Sequence, residues 1–466
     1  MIEKNRVHLI GIGGVGMLSL ANLLVENGCK VSGSDIIYNE KINKLEQKGV
    51  KIFLNHNYKN ILDSDVIIYS SAIKPDNIEL VEAKKLNKQI YHRVDFVKKF
   101  TENKKVIAVA GSHGKTTTTA TISYLFKEIG LSPSVYFGGE NDDFYFGSSI
   151  GTGEYFILET DEHDESFLIF DVYLPIITNI DRDHLNIDGP FKGDFNLLKE
   201  SFLKFIEKSK SKKVILSYDC PNSFELKDRI TKEILSYSIE NEDATIFGKI
   251  REKVGLKTIG EIFYKHKEIG NLELSIPGDK NFLNSLGVIL VSIEEGLNIG
   301  DVLKILKGFK GVKRRFEIVY DKDFTVIDDC ALHPTQIGVT LKTARDYYKN
   351  RRIISVIEPY RYSRVKNLHK EYSESFELSD IIILLPIDPA DETDTYGADI
   401  EMILKETEKR YNNKGIFYLD KKNVILFLEN EIKKDDVVIF MGLGKIKNLV
   451  KEYLIEIKRW DFVQLN

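Results

Sequence analysis

The stretch AVAGSHGKTTTTA, residues Ala108–Ala120, decides the fold. The apolar run Val106–Ala110 leads into Gly111-Ser112-His113-Gly114-Lys115. A threonine-rich segment follows, with Ile122, Leu125, Phe126 and Ile129 at helical spacing and Gly130 just beyond. Strand, glycine turn and helix in that order make a phosphate cradle. Backbone N–H groups face the anion, Lys115 reaches β- and γ-phosphates, and the Thr116 hydroxyl suits Mg²⁺. The common loop G-x-x-x-x-G-K-[ST] does not fit, because Val109 stands where its first glycine belongs. The spacing here is the shorter G-x-x-G-K-T.

Upstream, VHLIG (Val7–Gly11) reads as a strand, GIGGVG as a turn and MLSLANLLVEN as a helix closed by Gly28. A second strand ends at Asp35, 19 residues beyond Gly16. Gly11, Gly13 and Gly16 match G-x-G-x-x-G, with Gly14 between them, which predicts a phosphate held at a helix N-terminus. The pattern admits NAD, another nucleotide-linked ligand or a structural turn. DVIIYSSA (Asp65–Ala72) and KQIYH (Lys88–His92) continue the alternation, and the polar TENKK (Thr101–Lys105) reads as a linker.

Downstream, the strands EYFILET and YLPIITNI each end in polar residues. ETDEHDESF gathers Glu159, Asp161, Glu162, Asp164 and Glu165, a cluster that repels itself without a cation or solvent. TNIDRDHL adds Asp183 and His184. Both lie at strand ends, where open α/β sheets place their ligands. After GVKRRF (Gly311–Phe316) a third alternating region begins, running through FTVIDD, RRIISVIEP, SDIIILLP and DDVVIFMGLG. The expected architecture is therefore α/β in three domains: residues 1–103 Rossmann-like, 104–312 a P-loop ATPase-like mononucleotide-binding block, and 313–466 Rossmann-like.

Bulk properties set limits. The chain has 466 residues, is 42% hydrophobic and carries a net charge of −5, which argues against a dedicated nucleic-acid binder. Cys29, Cys220 and Cys330 are odd in number and far apart, with no disulfide framework or zinc spacing. No basic-then-apolar leader and no membrane-length apolar run is visible, so a soluble cytoplasmic protein is expected.

Together GIGGVGM, GSHGKTTTT, ETDEHDESF, TNIDRDHL, PGDKNFLN, GVKRRF, DDCALHPT and EPYRYSR resemble, in order, the motifs of the Mur ligase family, and most of all its alanine-adding branch. The resemblance runs from Gly11 to about Gly444, and the short G-x-x-G-K-T loop is the form that family uses. It implies ATP-dependent formation of an amide through an acyl phosphate on a UDP-linked cell-wall precursor, with ATP and Mg²⁺ required. Carried over, Gly111, Ser112, His113, Gly114, Lys115, Thr116 and Thr117 resemble the ATP loop. Thr116, Glu159 and His184 resemble the metal-site residues. Asn281 and Asn284 resemble the adenine-side amides, Arg315 the arginine that reaches the phosphates, and Asp329 the aspartate on the nucleotide or hinge. Lys115, Glu159, His184 and Arg315 are thereby the implied catalytic group. The UDP-linked substrate is implied at Gly11, Gly13, Gly14, Gly16, Asp35, Ser70 and Ser71, with the uridine contact open between Asp35, His56 and the Ser70–Ile73 backbone. The amino acid falls to His333, Arg361 and Arg364.

The amino-acid end departs from the alanine-adding pattern. DDCALHP stands where that branch has DDYGHHP, so Cys330 and Leu332 replace a Tyr and a His, while Tyr360 replaces a His before Arg361. Lys280 replaces a His beside the adenine asparagines. Two arginines still suit a carboxylate. The side-chain pocket changes, so two products stay open. One is that of a UDP-N-acetylmuramate–L-alanine ligase. The other is that of an archaeal pseudomurein peptide ligase, acting on a UDP-activated peptide with another amino acid. A murein-recycling ligase shares the N-terminal motifs. An NAD-dependent oxidoreductase leaves the second loop, Glu159 and His184 unexplained, and a non-catalytic nucleotide sensor leaves the retained Lys115, Glu159, His184 and Arg315 without a purpose.

Overall fold

A computed structural model describes residues 5–163, 165–183, 185, 189–390, 392–393 and 395–464. His184 and Asp164 lie outside the described residues. By their contacts the residues form two compact units. The first comprises Met1–Arg251, Ile259–Ser275 and Asn281–Val312, the second Glu252–Thr258, Ile276–Lys280 and Lys313–Asn466.

The first unit holds two sheets. Strands β1 (Arg6–Ile10), β2 (Lys30–Ser34), β3 (Lys51–Phe53), β4 (Val66–Tyr69) and β5 (Gln89–His92) alternate with helices α1 (Val15–Glu26), α2 (Glu40–Gln47), α3 (Ile78–Lys85) and α4 (Arg93–Thr101). Every pair is parallel, in the order β3-β2-β1-β4-β5. The chain leaves β1 toward β2 on one side and returns to β4 on the other. That reversal opens a crevice at the carboxyl ends of β1 and β4, where the Gly11 turn and Ser70 sit.

The second sheet contains β6 (Lys105–Ala110), β7 (Ser134–Tyr136), β8 (Ser148–Ser149), β9 (Tyr155–Glu159), β10 (Leu174–Ile177), β11 (Lys213–Ser217), β12 (Glu233–Ser238), β13 (Ile246–Val254), β14 (Lys257–Tyr264) and β15 (Lys267–Leu274). Their order is β15-β14-β13-β12-β11-β10-β6-β9-β7-β8. β6 lies between β10 and β9, parallel to both. The loop after β6 is therefore flanked by the ends of the strands that carry Glu159 and Thr178–Asn179. Helices α5 (Lys115–Glu128), α6 (Phe195–Lys208), α7 (Pro221–Glu225), α8 (Asp279–Glu294) and α9 (Ile299–Leu306) complete this part. Ile107, Ala108 and Val109 are fully buried, as the centre of a parallel sheet covered on both faces requires. On α5 the expected face is inside at Ile122, Leu125 and Phe126.

In the second unit β16 (Glu317–Asp321) pairs antiparallel to β17 (Thr325–Asp329). Beyond it β18 (Ile353–Ile357), β19 (Ile381–Leu384), β20 (Gly415–Tyr418) and β21 (Val437–Met441) are parallel, in the order β16-β17-β21-β18-β19-β20. Helices α10 (Pro334–Tyr347), α11 (Tyr362–Ser375), α12 (Glu401–Arg410), α13 (Lys421–Glu431) and α14 (Ile446–Gln464) belong to it. Alternate residues of β17 and β18 serve two separate apolar clusters, with Ile327 and Ile353 in one, Val326 and Ile354 in the other. The sheet is thus covered on both faces. The segments 252–258 and 276–280 belong to this unit through α10: Lys253 Nζ is 2.6 Å from both Asp279 Oδ1 and Asp346 Oδ2, and the Tyr347 hydroxyl bonds Thr258 and accepts from the Gly278 N–H.

The three alternating blocks read from the sequence thus correspond to three sheets. The run β13–β15 and the edge strand β16 were not anticipated. Their charged, half-exposed sequences, such as IFGKIREKV, carry little apolar signal. No helix among the described residues is long and apolar enough to cross a membrane.

Candidate functional site

The Gly111–Gly114 turn is held by the segment that follows β10. Thr178 Oγ1 and Asn179 Nδ2 donate to the His113 carbonyl at 2.6 and 2.7 Å, and the His113 N–H donates to Asn179 Oδ1 at 2.9 Å. The Asn179 amide therefore grips the backbone of His113 on both sides. Asp181 adds two bonds, its N–H to Ser112 Oγ and its carboxylate to His113 Nε2, both at 2.8 Å. Gly111 has φ +136°, and a Cβ there would fall 2.2 Å from Thr178 Oγ1. Gly114, at φ +82°, starts α5 and lies beside Asn284, whose amide nitrogen would be 3.1 Å from a Cβ at that position. Asn284 thus borders the loop, and Asn281 lies one helical turn earlier on α8.

Lys115 Nζ donates to both oxygens of Glu162, at 2.8 and 3.1 Å. The lysine side chain is 13% exposed and the carboxylate not at all. Burial alone would weaken the ammonium, but the charges of Glu162 and Asp161 outweigh it and hold the Lys115 pKa above its ordinary value. Burial pushes the Glu162 carboxyl up, and Lys115 offsets this only in part. Glu159 is held differently. The Thr116 hydroxyl donates to Oε1 at 2.9 Å and the Gly138 N–H to Oε2 at 2.6 Å. Thr117 is half-buried on the first turn of α5 and accepts from Thr121 through its carbonyl. The structure thus brings together Gly111, Ser112, His113, Gly114, Lys115, Thr116, Glu159 and Asn284.

In the first sheet the Gly13 N–H donates to Asp35 Oδ2 at 2.8 Å and the Ile37 N–H to Oδ1 at 3.0 Å. Gly14 caps α1 in extended conformation. Ser70 Oγ and Ile73 adjoin Gly11, each 3.2 Å from where a Cβ would stand. Ser71 Oγ bonds His92 Nε2 at 3.0 Å. Two residues escaped the sequence reading: Tyr136 donates to the Gly16 carbonyl at 2.9 Å, and Arg93 donates to the Tyr136 hydroxyl at 2.8 Å. Arg93 stands at the first turn of α4, so a guanidinium accompanies this glycine turn with no motif to announce it.

His56 turns inward. Its Nδ1 is 2.8 Å from Glu79 Oε2 and 3.1 Å from Ser34 Oγ. Glu79 is fully buried and also takes Ser34, Asn60 and His8. Burial would raise its pKa; the close His8 ring and the hydrogen bonds from Ser34, Asn60 and His56 overturn that and bring it down to about 2.

In the second unit Asp329 Oδ2 accepts from the Phe316 N–H and Thr340 Oγ1, and Oδ1 from the Ala331 N–H. Oδ2 ties the segment around Arg315 to α10 and Oδ1 holds the loop that follows β17, which makes Asp329 a backbone organiser here. Burial pushes its carboxyl up, and nearby Arg315 works against that. Arg314 and Phe316, on either side of Arg315, have φ +60° and +52°. Such left-handed backbone at non-glycine residues costs of order 1–3 kcal/mol each and persists only where the surroundings enforce it. The enforcement is visible: Arg314 is locked to Asp328 and the Gly442 carbonyl. Arg315 has no hydrogen bond or ion pair among the described residues.

His333 Nδ1 accepts from the Thr335 N–H as the N-cap of α10, closing a capping box with Gln336. Arg361 (φ +71°) caps α11, its N–H donating to the Asp388 carbonyl, and its guanidinium lies 5.9 Å from the Tyr360 ring centre. Arg364 lies 6.0 Å from the same ring and donates to the Tyr360 carbonyl. Both guanidinium groups thus lie close to the one Tyr360 ring. Cys330 is half-buried, desolvation pushes its thiol up, and the Leu332 carbonyl accepts from Tyr372.

Three family descriptions match along the chain: "Mur ligase family, catalytic domain" over residues 6–105, "Mur ligase middle domain" over 109–292 and "Mur ligase, glutamate ligase domain" over 314–444. The chain is 38% identical over 453 residues to the UDP-N-acetylmuramate–L-alanine ligase of Dictyoglomus turgidum, covering 96% of each. It is 34% identical to that of Aquifex aeolicus, covering 97% of this chain and 98% of the relative. Among solved structures, the UDP-N-acetylmuramate–alanine ligase of Thermotoga maritima superposes with a TM-score of 0.82 at 26% identity, covering 98% and 99% of the two chains. A pseudomurein peptide ligase type C from Methanothermus fervidus shares the fold, with a TM-score of 0.66 at 19% identity over 97% and 100%. Three matched domains in order, full-length identity above 30% and the shared fold have one meaning: the chain belongs to the Mur ligase family, ATP-dependent enzymes that join a carboxylate to an amine.

Proposed function

We propose that this enzyme joins L-alanine to UDP-N-acetylmuramate in the cytoplasm, as the relatives named above do, with residues 1–103 holding the UDP-linked acceptor, 104–312 the ATP and 313–466 the amino acid. One observation carries the reading: Lys115, Thr116 and Glu159 converge at the carboxyl ends of β6 and β9 in a chain alike along its whole length to alanine-adding ligases.

The donors suit the groups they would hold. Thr116 and Glu159 offer hard oxygens 2.9 Å apart, a pair fitted to Mg²⁺, with His184 proposed as its further ligand. ATP supplies a phosphoryl group that turns the acceptor's carboxylate, a poor electrophile, into an acyl phosphate. Lys115 would bear on the β- and γ-phosphates and offset charge as it shifts between them. Asn281 and Asn284 would take the adenine side, and Asn179 and Thr178 keep the turn from collapsing when the anion leaves. Asp35, Gly11, Gly13, Gly14, Gly16, Ser70 and Ser71 would orient the UDP-linked acceptor, and Arg361 with Arg364 would clamp the amino acid's carboxylate so that its amine faces the acyl carbon.

A second reading is favoured by Cys330, Leu332 and Tyr360, which alter the side-chain surroundings expected for alanine. In it the acceptor is a UDP-activated peptide and the amino acid is another. The test is ATP-dependent phosphate release over a matrix of UDP-N-acetylmuramate and UDP-activated glutamyl peptides against the common L-amino acids, with product masses. Turnover with UDP-N-acetylmuramate and L-alanine is expected. Silence there, with turnover on a UDP-peptide, replaces the first reading by the second.

A further inference from the structure

Glu162 has no role in the chemistry set out above, yet it is the residue that holds Lys115. Its carboxylate is fully buried and takes both of its short contacts from the one ammonium that the nucleotide's phosphates would need. Its position is built: the Glu162 carbonyl accepts from the Glu165 N–H at 3.0 Å, closing the turn that aims the side chain inward. Glu159, three residues earlier, is committed to Thr116 and the Gly138 N–H, so the two carboxylates do separate work.

We infer that Glu162 competes with the nucleotide's phosphates for Lys115. It holds the ammonium at the loop, yields it when phosphate arrives, and takes it back when the products leave. The inference rests on the assignment of the Gly111–Thr117 loop to ATP. The physics is direct. A buried ammonium without a partner carries a large desolvation cost and would swing out toward solvent. A buried carboxylate beside a polyphosphate opposes it, so ground-state binding is weakened by the residue that prepares the site. An interaction that weakens ground-state binding and leaves Lys115 free to follow the transferring phosphoryl group gives up affinity in favour of turnover.

The sign of the effect makes the test. Calorimetry on the full chain would compare a non-hydrolysable ATP analogue with magnesium, and ADP, for the wild type, Glu162→Gln, Glu162→Asp and Lys115→Met. Glu162→Gln removes the charge at constant size and is expected to bind the analogue about tenfold more tightly while kcat falls. Structural damage would move affinity the other way. Glu162→Asp pulls the carboxylate back by one methylene and is expected to tighten binding less; it serves as the test if the Gln variant fails to fold. Unchanged or weaker binding in a folded Glu162 variant, with Lys115→Met binding poorly, overturns the inference alone. Wild-type affinity in Lys115→Met overturns the ATP assignment of the loop, and the inference with it.

Discussion

Two glycine turns end central strands of two neighbouring sheets, and each is filled by a carboxylate of its own chain. After β1, the Gly13 amide is taken by Asp35. After β6, the Lys115 ammonium is taken by Glu162. The first turn binds its carboxylate through backbone, the second through a side-chain cation. A backbone amide offers direction with only partial charge, which suits a diphosphate inside a larger ligand read by many contacts. An ammonium offers a full charge that can move with a phosphoryl group. The second turn is also more tightly framed, with Thr178, Asn179 and Asp181 fixing its peptides. On the proposed function, the difference would separate a loop that holds from a loop that reacts.

The largest expected effect is at the reacting loop. Lys115→Ala should lower turnover on the order of 1000-fold, because the developing charge loses its fixed cation. Phosphate release with saturating substrates checks it, and activity near wild type would erase the distinction drawn between the loops. Gly111→Ala comes next. Its Cβ would collide with Thr178 Oγ1 and the Asn179 backbone at φ +136°, so a stability loss of about 3 kcal/mol is expected from denaturant unfolding. A loss under about 1 kcal/mol would mean that the frame around this turn yields.

The first sheet has its own pH signature. Glu79 sits at about 2 in the folded chain against an ordinary 4.5. A depressed carboxylate stabilises the fold above its unfolded pKa, and the contribution drains away as pH falls from about 4.5 toward 2. The amount is about 3 kcal/mol. Urea unfolding at pH 7, 4.5 and 3 should show a steeper acid decline for the wild type than for Glu79→Gln. Parallel declines would remove Glu79 as a charged anchor of Ser34 and His56. In the second unit, Arg361→Ala should raise the amino acid's KM about 10- to 100-fold with little change for ATP, since a charge-assisted bond is worth about 1.5–3 kcal/mol. Equal changes in both KM values would argue against a carboxylate clamp.

What the sequence made legible follows local rules. Strand, turn and helix around Lys115 are written in apolar runs and glycines, and Glu159 at a strand end follows from the same logic. The division between Glu159 and Glu162 is not, since both sit in one acidic run and only the tertiary fold turns Glu162 inward. Glu79 reads as a surface residue in IELVEAKK, yet it is fully buried while Ile78 beside it is 49% exposed. Capping by Asn77 sets the phase of that short helix, and a partner network from three other segments makes burial of the charge tolerable. Arg93 had no signal, because a lone arginine after a strand looks like any solvated charge.

The smallest effect sharpens the comparison most. Gly14 has an ordinary extended backbone, and a Cβ there would meet only the Gly11 carbonyl, at 3.7 Å. Nothing in the fold demands a glycine at that position, in contrast to Gly111. Alanine lacks only the freedom to adopt backbone that Gly14 does not use, so Gly14→Ala should change stability by less than about 0.5 kcal/mol. On the proposed function, the missing side chain would leave room for the UDP-linked acceptor to approach the backbone. The variant should therefore weaken the UDP-linked acceptor severalfold while leaving nucleotide affinity and thermal midpoint in place. Loss of stability would return Gly14 to the framework and make the two turns alike. Unchanged acceptor affinity would leave the holding to Asp35, the Gly13 amide and the Arg93–Tyr136 pair.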